Sequence, residues 1–176
     1  MPIFEEIHVY DFDGTLFQTP DPLDYKKTFG KKFVNSNWWE NPISLSPPMK
    51  IIPNQEIIDE FHKSIKNPLC LSIVMTGRME HLRPQIQTIL NQHNIRPNEL
   101  ILSDRMNVLE FKTEKLKEFI NKHPHIRKIQ MFDDDIKKSC AYEKLGEQLG
   151  VPISVRLCYD ERSLKKYLDE ISKSKP

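Results

Sequence analysis

Two aspartates, Asp11 and Asp13, directly follow the short apolar run Ile7–Tyr10, in the segment Asp11-Phe12-Asp13-Gly14-Thr15-Leu16-Phe17. In an extended segment, residues two apart point the same way, so both carboxylates can reach one point beyond a strand end. Two carboxylates at one point repel unless a cation sits between them or one proton is shared. A hard divalent ion such as Mg2+ suits oxygen ligands of this kind. Gly14 permits a sharp turn immediately afterwards. Gly14 and Thr15 are counted with the residues expected to line a bound substrate.

Three further groups have the same placement or a complementary charge. Thr76-Gly77-Arg78 follows the apolar run Leu69–Met75. A hydroxyl and exposed backbone N–H groups there can hold phosphate oxygens, and Arg78 can add a charge-assisted bond. Asp133-Asp134-Asp135 follows the run Lys128–Phe132 and would complete a metal site. The same three residues also suit the start of a helix, where acidic groups are favoured, and Asp135 divides evenly between the two roles. Lys112 opens a helical segment and can neutralise a phosphoryl group together with the carboxylate attacking it. Lys115 and Lys117 lie close by in sequence as competitors.

The elements that must position these groups follow from hydrophobic spacing. Ile7–Tyr10, Leu69–Met75, Leu100–Leu102, Lys128–Phe132 and Val151–Cys158 read as strands, the second of them apolar throughout and so buried on both faces. Helical spacing runs over 54–66, from Glu80 to Gln92, through Phe111, Leu116, Phe119 and Ile120, over Ile136–Leu149 up to Gly150, and over Glu161–Ile171. This alternation predicts an α/β fold, a Rossmann-like three-layer sandwich around a five-stranded, mostly parallel sheet. Ligands of such sheets bind beyond the carboxyl ends of the strands, where the motifs above fall.

Residues 17–53 break the alternation. They are rich in Pro, Asn and aromatics and hold both tryptophans, Trp38 and Trp39. The stretch reads as an elaborated loop or small insert beside the site, within one domain spanning 1–176, since long irregular segments are often functional. Trp38 and Trp39 can stack on bases or anchor the loop as core. The lysines at 26, 27, 31 and 32 can meet a polynucleotide backbone or form a solvated face.

Composition narrows the classes. The chain has 176 residues, 26 Lys+Arg against 25 Asp+Glu, and a net charge of +1, which argues against a globally basic nucleic-acid binder. No run approaches the roughly 18 apolar residues of a membrane span, and the first ten residues lack the basic region of a secretory signal. Cys70, Cys140 and Cys158 are odd in number and far apart, so reduced thiols in an intracellular protein, cytoplasmic or nuclear, are expected.

DFDGTLF, VMTGR, a helix-borne lysine and FDDD, in that order, resemble the four motifs of the haloacid dehalogenase (HAD) superfamily of phosphohydrolases. The resemblance implies that Asp11 is the nucleophile that forms an aspartyl-phosphate and that Asp13 is the general acid. It implies that Thr76 and Lys112 bind the phosphoryl group. Asp133 and Asp134 would complete a Mg2+ site with Asp11 and the backbone carbonyl of Asp13. The run DFDGTLFQTPDP followed by NWWENP is similar, more narrowly, to the HAD domain of Swiss Army Knife RNA-repair-like proteins, closely over 7–44 and less so later. In that family an acidic-Asp-Arg sequence is expected where this chain has Asp133-Asp134-Asp135.

The spacing from Leu102 to Lys112 leaves no room for one common cap position, and the other holds the short insert, so a small or absent cap is expected. An open site admits large substrates. The expected activity is a Mg2+-dependent phosphomonoesterase acting on terminal phosphates of nucleic acid. The alternatives are a small-molecule, nucleotide or protein phosphatase and a catalytically silent RNA-binding module. The expected partners are a phosphorylated substrate, with nucleic-acid ends as the leading class, and no membrane; the chain is expected to be a monomer.

Overall fold

The computed structural model describes residues 3–34, 37–104, 107–158, 164, 165, 168, 169 and 172. In chain order the elements are β1 (Glu6–Tyr10), β2 (Phe17–Gln18), α1 (Pro22–Phe29), β3 (Ile52–Pro53), α2 (Gln55–Lys66), β4 (Cys70–Met79), α3 (Arg83–Gln92), β5 (Glu99–Ser103), α4 (Val108–Lys122), β6 (Lys128–Asp133), α5 (Ile136–Leu149) and β7 (Ile153–Leu157). The helix expected over Glu161–Ile171 falls largely outside the described residues; Leu164 and Leu168 within it are exposed.

Five strands form one parallel sheet in the order β5-β4-β1-β6-β7. Alternation along the strands fills both faces. Ile7, Val9, Ile73, Met75 and Met131 pack with Phe111 and Leu116 of α4 and Tyr142 of α5. Tyr10, Val74 and Phe132 pack on the other side with Phe61 of α2 and Ile86 of α3. The expected three-layer α/β sandwich is the observed one.

Register decides where the chemistry emerges. Tyr10 lies beside Val74 on one side and Phe132 on the other. Asp11 follows Tyr10, Thr76 lies two residues past Val74 where β4 still pairs with Leu102 of β5, and Asp133 ends β6 beside Leu157, so all three stand at the carboxyl edge of the sheet. The Asp11 N–H still donates to the Phe132 carbonyl at 3.0 Å, which holds the first aspartate against the strand that carries the last ones.

Residues 17–53 are more ordered than a loop. Asp21 caps α1 by accepting from the N–H groups of Leu23 and Asp24, and Asp24 accepts from the N–H of Asp21. Pro22 occupies the first helical position, where proline is pre-organised. The sequence reading placed no helix here; the eight residues of α1 bury none of their own side chains, so no apolar period marks them. Two short 3₁₀ turns, Trp38–Glu40 and Pro42–Leu45, complete the insert, and β2 pairs antiparallel with β3 where it rejoins the main chain.

Candidate active site

At the carboxyl edge of the sheet, one carboxylate oxygen from each of Asp11, Asp133 and Asp134 lies within 4.8 Å of the others. Asp11 and Asp133 are buried, and Lys112 reaches them from α4 with its side chain 1% exposed. The Lys112 ammonium donates to Asp133 Oδ2 at 2.8 Å and lies 3.2 Å from Asp11 Oδ1. Lys112 is thus the lysine the fold delivers to the site. Lys115, one turn further on, pairs with Glu118 on the helix surface.

The electrostatics are those of crowded, dry carboxylates. Burial pushes the Asp11 carboxyl up to about 6, against the pull of Lys112 and with the push of Asp133. Burial, followed by the charges of Asp11 and Asp133, pushes Asp134 up to about 7. Burial works against the charge on Lys112, but Asp11 and Asp133 override it and hold the ammonium well above its ordinary value. Tyr142, from α5, adds a buried hydroxyl with no hydrogen-bond partner among the described residues; burial raises its pKa while Lys112 opposes that shift.

Asp135 has a different job. Its side chain accepts from the N–H of Lys137 at 2.9 Å and pairs with Lys138, so it is the N-cap of α5. Its own N–H donates to Asp133 Oδ1 at 3.0 Å and fixes that carboxylate from behind.

Two glycines make the convergence possible. Gly14 has φ +72, and a Cβ there would collide with Asp134 Oδ2. The turn after Asp13 therefore both requires a left-handed residue and leaves the space that Asp134 fills. A Cβ on Gly77 would lie 2.7 Å from Cγ2 of Val108, the first residue of α4. Gly77 thus lets α4 approach β4, one turn before Lys112.

The other expected residues are distributed unevenly. Thr76 is buried at the site, its Oγ1 accepting from the N–H of Arg78 at 3.1 Å. Thr15 is fully buried and its hydroxyl has no hydrogen-bond partner among the described residues. Arg78 was expected to meet phosphate; it is 2% exposed, and its guanidinium donates to Asp13, to the Trp39 carbonyl and to Ser44 Oγ. The two tryptophans, proposed either to stack on substrate bases or to anchor the loop as core, part ways. Trp38 is 4% exposed, donates Nε1–H to the Pro20 carbonyl at 2.7 Å and packs edge-on against Phe33 and Tyr25, so it anchors the insert. Trp39 is 45% exposed, with its ring 4.9 Å from the Arg78 guanidinium carbon.

Thr19 and Ser44 were not singled out from the sequence. Thr19 donates to Asp13 Oδ1 at 2.6 Å and Ser44 accepts from Arg78 at 2.7 Å. Thr19 stands in the Thr-Pro pair of the resemblance; nothing in the residues around Ser44 marks it.

Residues 26–155 match the family described as HAD domain family 1 in Swiss Army Knife RNA repair proteins. The chain belongs to this family. The matched span contains Thr76, Lys112, Asp133 and Asp134; Asp11 and Asp13 precede it. The chain is 26% identical over 175 residues to the uncharacterized protein YMR265C of Saccharomyces cerevisiae, covering 84% of this HAD chain but 38% of the yeast protein. A chain of the Pnkp1/Rnl/Hen1 complex shares the fold with TM-score 0.59 and 15% identity, over 89% of this chain and 47% of that one. The Legionella pneumophila effector Ceg4 does so with TM-score 0.55 and 14% identity, over 100% of this chain and 97% of the effector. No helix among the described residues of this HAD domain is long and apolar enough to cross a membrane.

Proposed function

We propose that this HAD domain is a Mg2+-dependent phosphomonoesterase that removes terminal phosphates from nucleic acid. One observation carries the reading: three carboxylates and one ammonium, from three separate elements, meet at the edge where the central strands end. Carboxylates this crowded call for a cation, and an all-oxygen donor set suits a hard one. Asp11, Asp133 and Asp134 would hold Mg2+, with the backbone carbonyl of Asp13. When bound, the ion supplies positive charge to the phosphoryl oxygens, so that an anionic nucleophile can approach them.

The chain's own residues do the rest. Asp11 Oδ1 is engaged by Lys112 and by the N–H of Phe12 at 2.9 Å, which leaves Oδ2 to attack phosphorus. A new Oδ2–P bond forms as the bond from phosphorus to the ester oxygen breaks. The electron pair goes to that oxygen, which takes a proton from Asp13. Asp13 then removes a proton from water as the water oxygen attacks phosphorus. The Oδ2–P bond breaks, inorganic phosphate leaves and the Asp11 carboxylate is restored. Lys112 and the backbone N–H groups around Thr76 and Gly77 hold the phosphoryl oxygens throughout. Gly14 and Thr15 shape the turn beside them.

Nucleic-acid ends are the proposed substrate class because the family is that of RNA repair proteins, because no separate cap lies beside the site among the described residues besides the insert of residues 17–53, and because half-exposed Trp39 offers a ring for a base. The whole chain, 1–176, acts as one domain in this reading. Purified protein should hydrolyse p-nitrophenyl phosphate when Mg2+ is added and stop when it is chelated. Asp11→Asn should abolish that turnover, and undiminished turnover would exclude the mechanism. Faster release of phosphate from 3′- or 5′-phosphorylated oligonucleotides than from mononucleotides or phosphopeptides supports end processing. The reverse order places the activity with small molecules or proteins, and oligonucleotide binding without any turnover makes the domain a binding module.

A further inference from the structure

We propose that Arg78 is a positioning residue that aims the general acid, and that the insert supplies the other side of the clamp. The inference rests on the phosphatase reading above.

Asp13 Oδ1 accepts from Thr19 Oγ1 at 2.6 Å, from Arg78 Nη2 at 2.8 Å and from Arg78 Nε at 3.2 Å. Oδ2 accepts from Nε at 3.0 Å. The two oxygens are therefore unequal. Oδ1 is occupied on three sides, and Oδ2 is the oxygen with room for a proton. Fixing Oδ1 fixes the direction in which Oδ2 can deliver that proton. The Asp13 side chain is 23% exposed, so the deliverable end faces an accessible space, whereas the Arg78 side chain is 1% exposed.

Arg78 is itself held from behind. Nη1 donates to the Trp39 carbonyl and to Ser44 Oγ, both at 2.7 Å, and the Trp39 ring lies over the guanidinium. Trp39 and Ser44 belong to the two 3₁₀ turns of the insert. Nε, Nη1 and Nη2 are all directed at protein acceptors, and a side chain this buried offers phosphate no open face. A planar fork of this kind holds a carboxylate in one orientation, which a lysine ammonium does not do. The insert is thereby coupled to the acid twice, directly through Thr19 and through the buried side chain of Arg78.

The chemistry gives a readout that a purely structural role would not move. A general acid matters in proportion to how poorly the leaving group departs unprotonated. Nitrophenolate leaves without help; the alkoxide of a ribose does not. The experiment measures kcat/KM, which reports the steps through departure of the leaving group and not the shared hydrolysis of the aspartyl-phosphate, for p-nitrophenyl phosphate and for a nucleoside 3′-monophosphate, with Mg2+, in wild type, Arg78→Lys, Thr19→Val and Asp13→Asn. Arg78→Lys should widen the ratio of the two rates by about tenfold to a hundredfold against the nucleotide, a part of what a general acid is worth. Thr19→Val, which keeps the arginine and removes one bond to Oδ1, should widen it by about threefold to tenfold. In an Asp13→Asn background neither change should widen it further. Thermal unfolding identifies a variant that has lost its fold, and if Arg78→Lys is such a variant, Thr19→Val decides. Equal losses on both esters in folded variants overturn the inference while leaving the phosphatase reading intact. Failure of the wild-type protein to hydrolyse either ester overturns both.

Discussion

The sheet edge and the insert both place side chains beside Asp13, but by different physics. At the sheet edge, position follows from backbone register. Once Tyr10, Val74 and Phe132 are paired in parallel, Asp11, Thr76 and Asp133 stand together at the carboxyl edge. In the insert, position follows from individual side chains: the Asp21 cap, the Trp38 anchor, and Trp39 and Ser44 on Arg78. The first kind of site is redundant and hard to displace. The second depends on a few contacts and should fail when one of them is removed.

Trp38→Ala is the sharpest way to break this contrast. Removing a buried Trp side chain costs about 3–5 kcal/mol. Hydrogen exchange should show lost protection across residues 17–53, with β1 and β6 keeping theirs; uniform loss across the sheet would mean that the insert is part of the main cooperative unit.

Gly14→Ala tests the sheet edge at its one irreplaceable turn. The left-handed φ and the collision with Asp134 Oδ2 together should cost about 2–3 kcal/mol and lower turnover roughly a hundredfold. A stability and kcat within twofold of wild type would show that Asp134 moves aside freely.

Gly77→Ala should cost about 1–3 kcal/mol by pushing Val108 and α4 away from β4. Its particular signature is rescue: adding Val108→Ala should restore much of the loss in both thermal unfolding and turnover. Without rescue, the close approach of α4 is not what the glycine provides.

The smallest effect has the most informative sign. Asp134 is held up at about 7 in the folded chain. Below its ordinary value it is protonated in both the folded and unfolded chains and costs nothing. As pH rises through about 7 it ionises in the folded state among other carboxylates, and that stability is lost. Asp134→Asn should therefore raise Tm of the metal-free protein by about 2–4 °C at pH 8. The gain should shrink toward zero near pH 4. A destabilised variant at pH 8 would mean that the carboxylate is satisfied without a metal.

The same contrast explains what was legible in the sequence. The edge carrying Asp11, Thr76 and Asp133 was readable because a buried strand is an apolar run and the site begins where that run stops, although β4 itself continues through Thr-Gly-Arg to Met79. Lys112 was readable only as one of several lysines, since the spacing of α4 does not say which faces the sheet edge. The helix α1 was not readable from period, because it buries none of its side chains, although Asp-Pro-x-Asp is its capping signature. The separate fates of Trp38 and Trp39 were not readable either. Adjacent residues in a 3₁₀ turn point apart, and only the packing of Tyr25 and Phe33 decides which one is buried. Arg78 was visible as a charge at a strand end, but its direction depends on Asp13, Thr19 and Ser44, which no local spacing brings together.

The convergence of Asp11, Asp133 and Asp134 on one cation is tested most directly by calorimetric titration of the metal-free protein with Mg2+. The account predicts a single binding site that Asp11→Asn and Asp134→Asn each weaken at least tenfold, with both variants folded. No measurable Mg2+ binding, or binding that both variants retain at full strength, would contradict it.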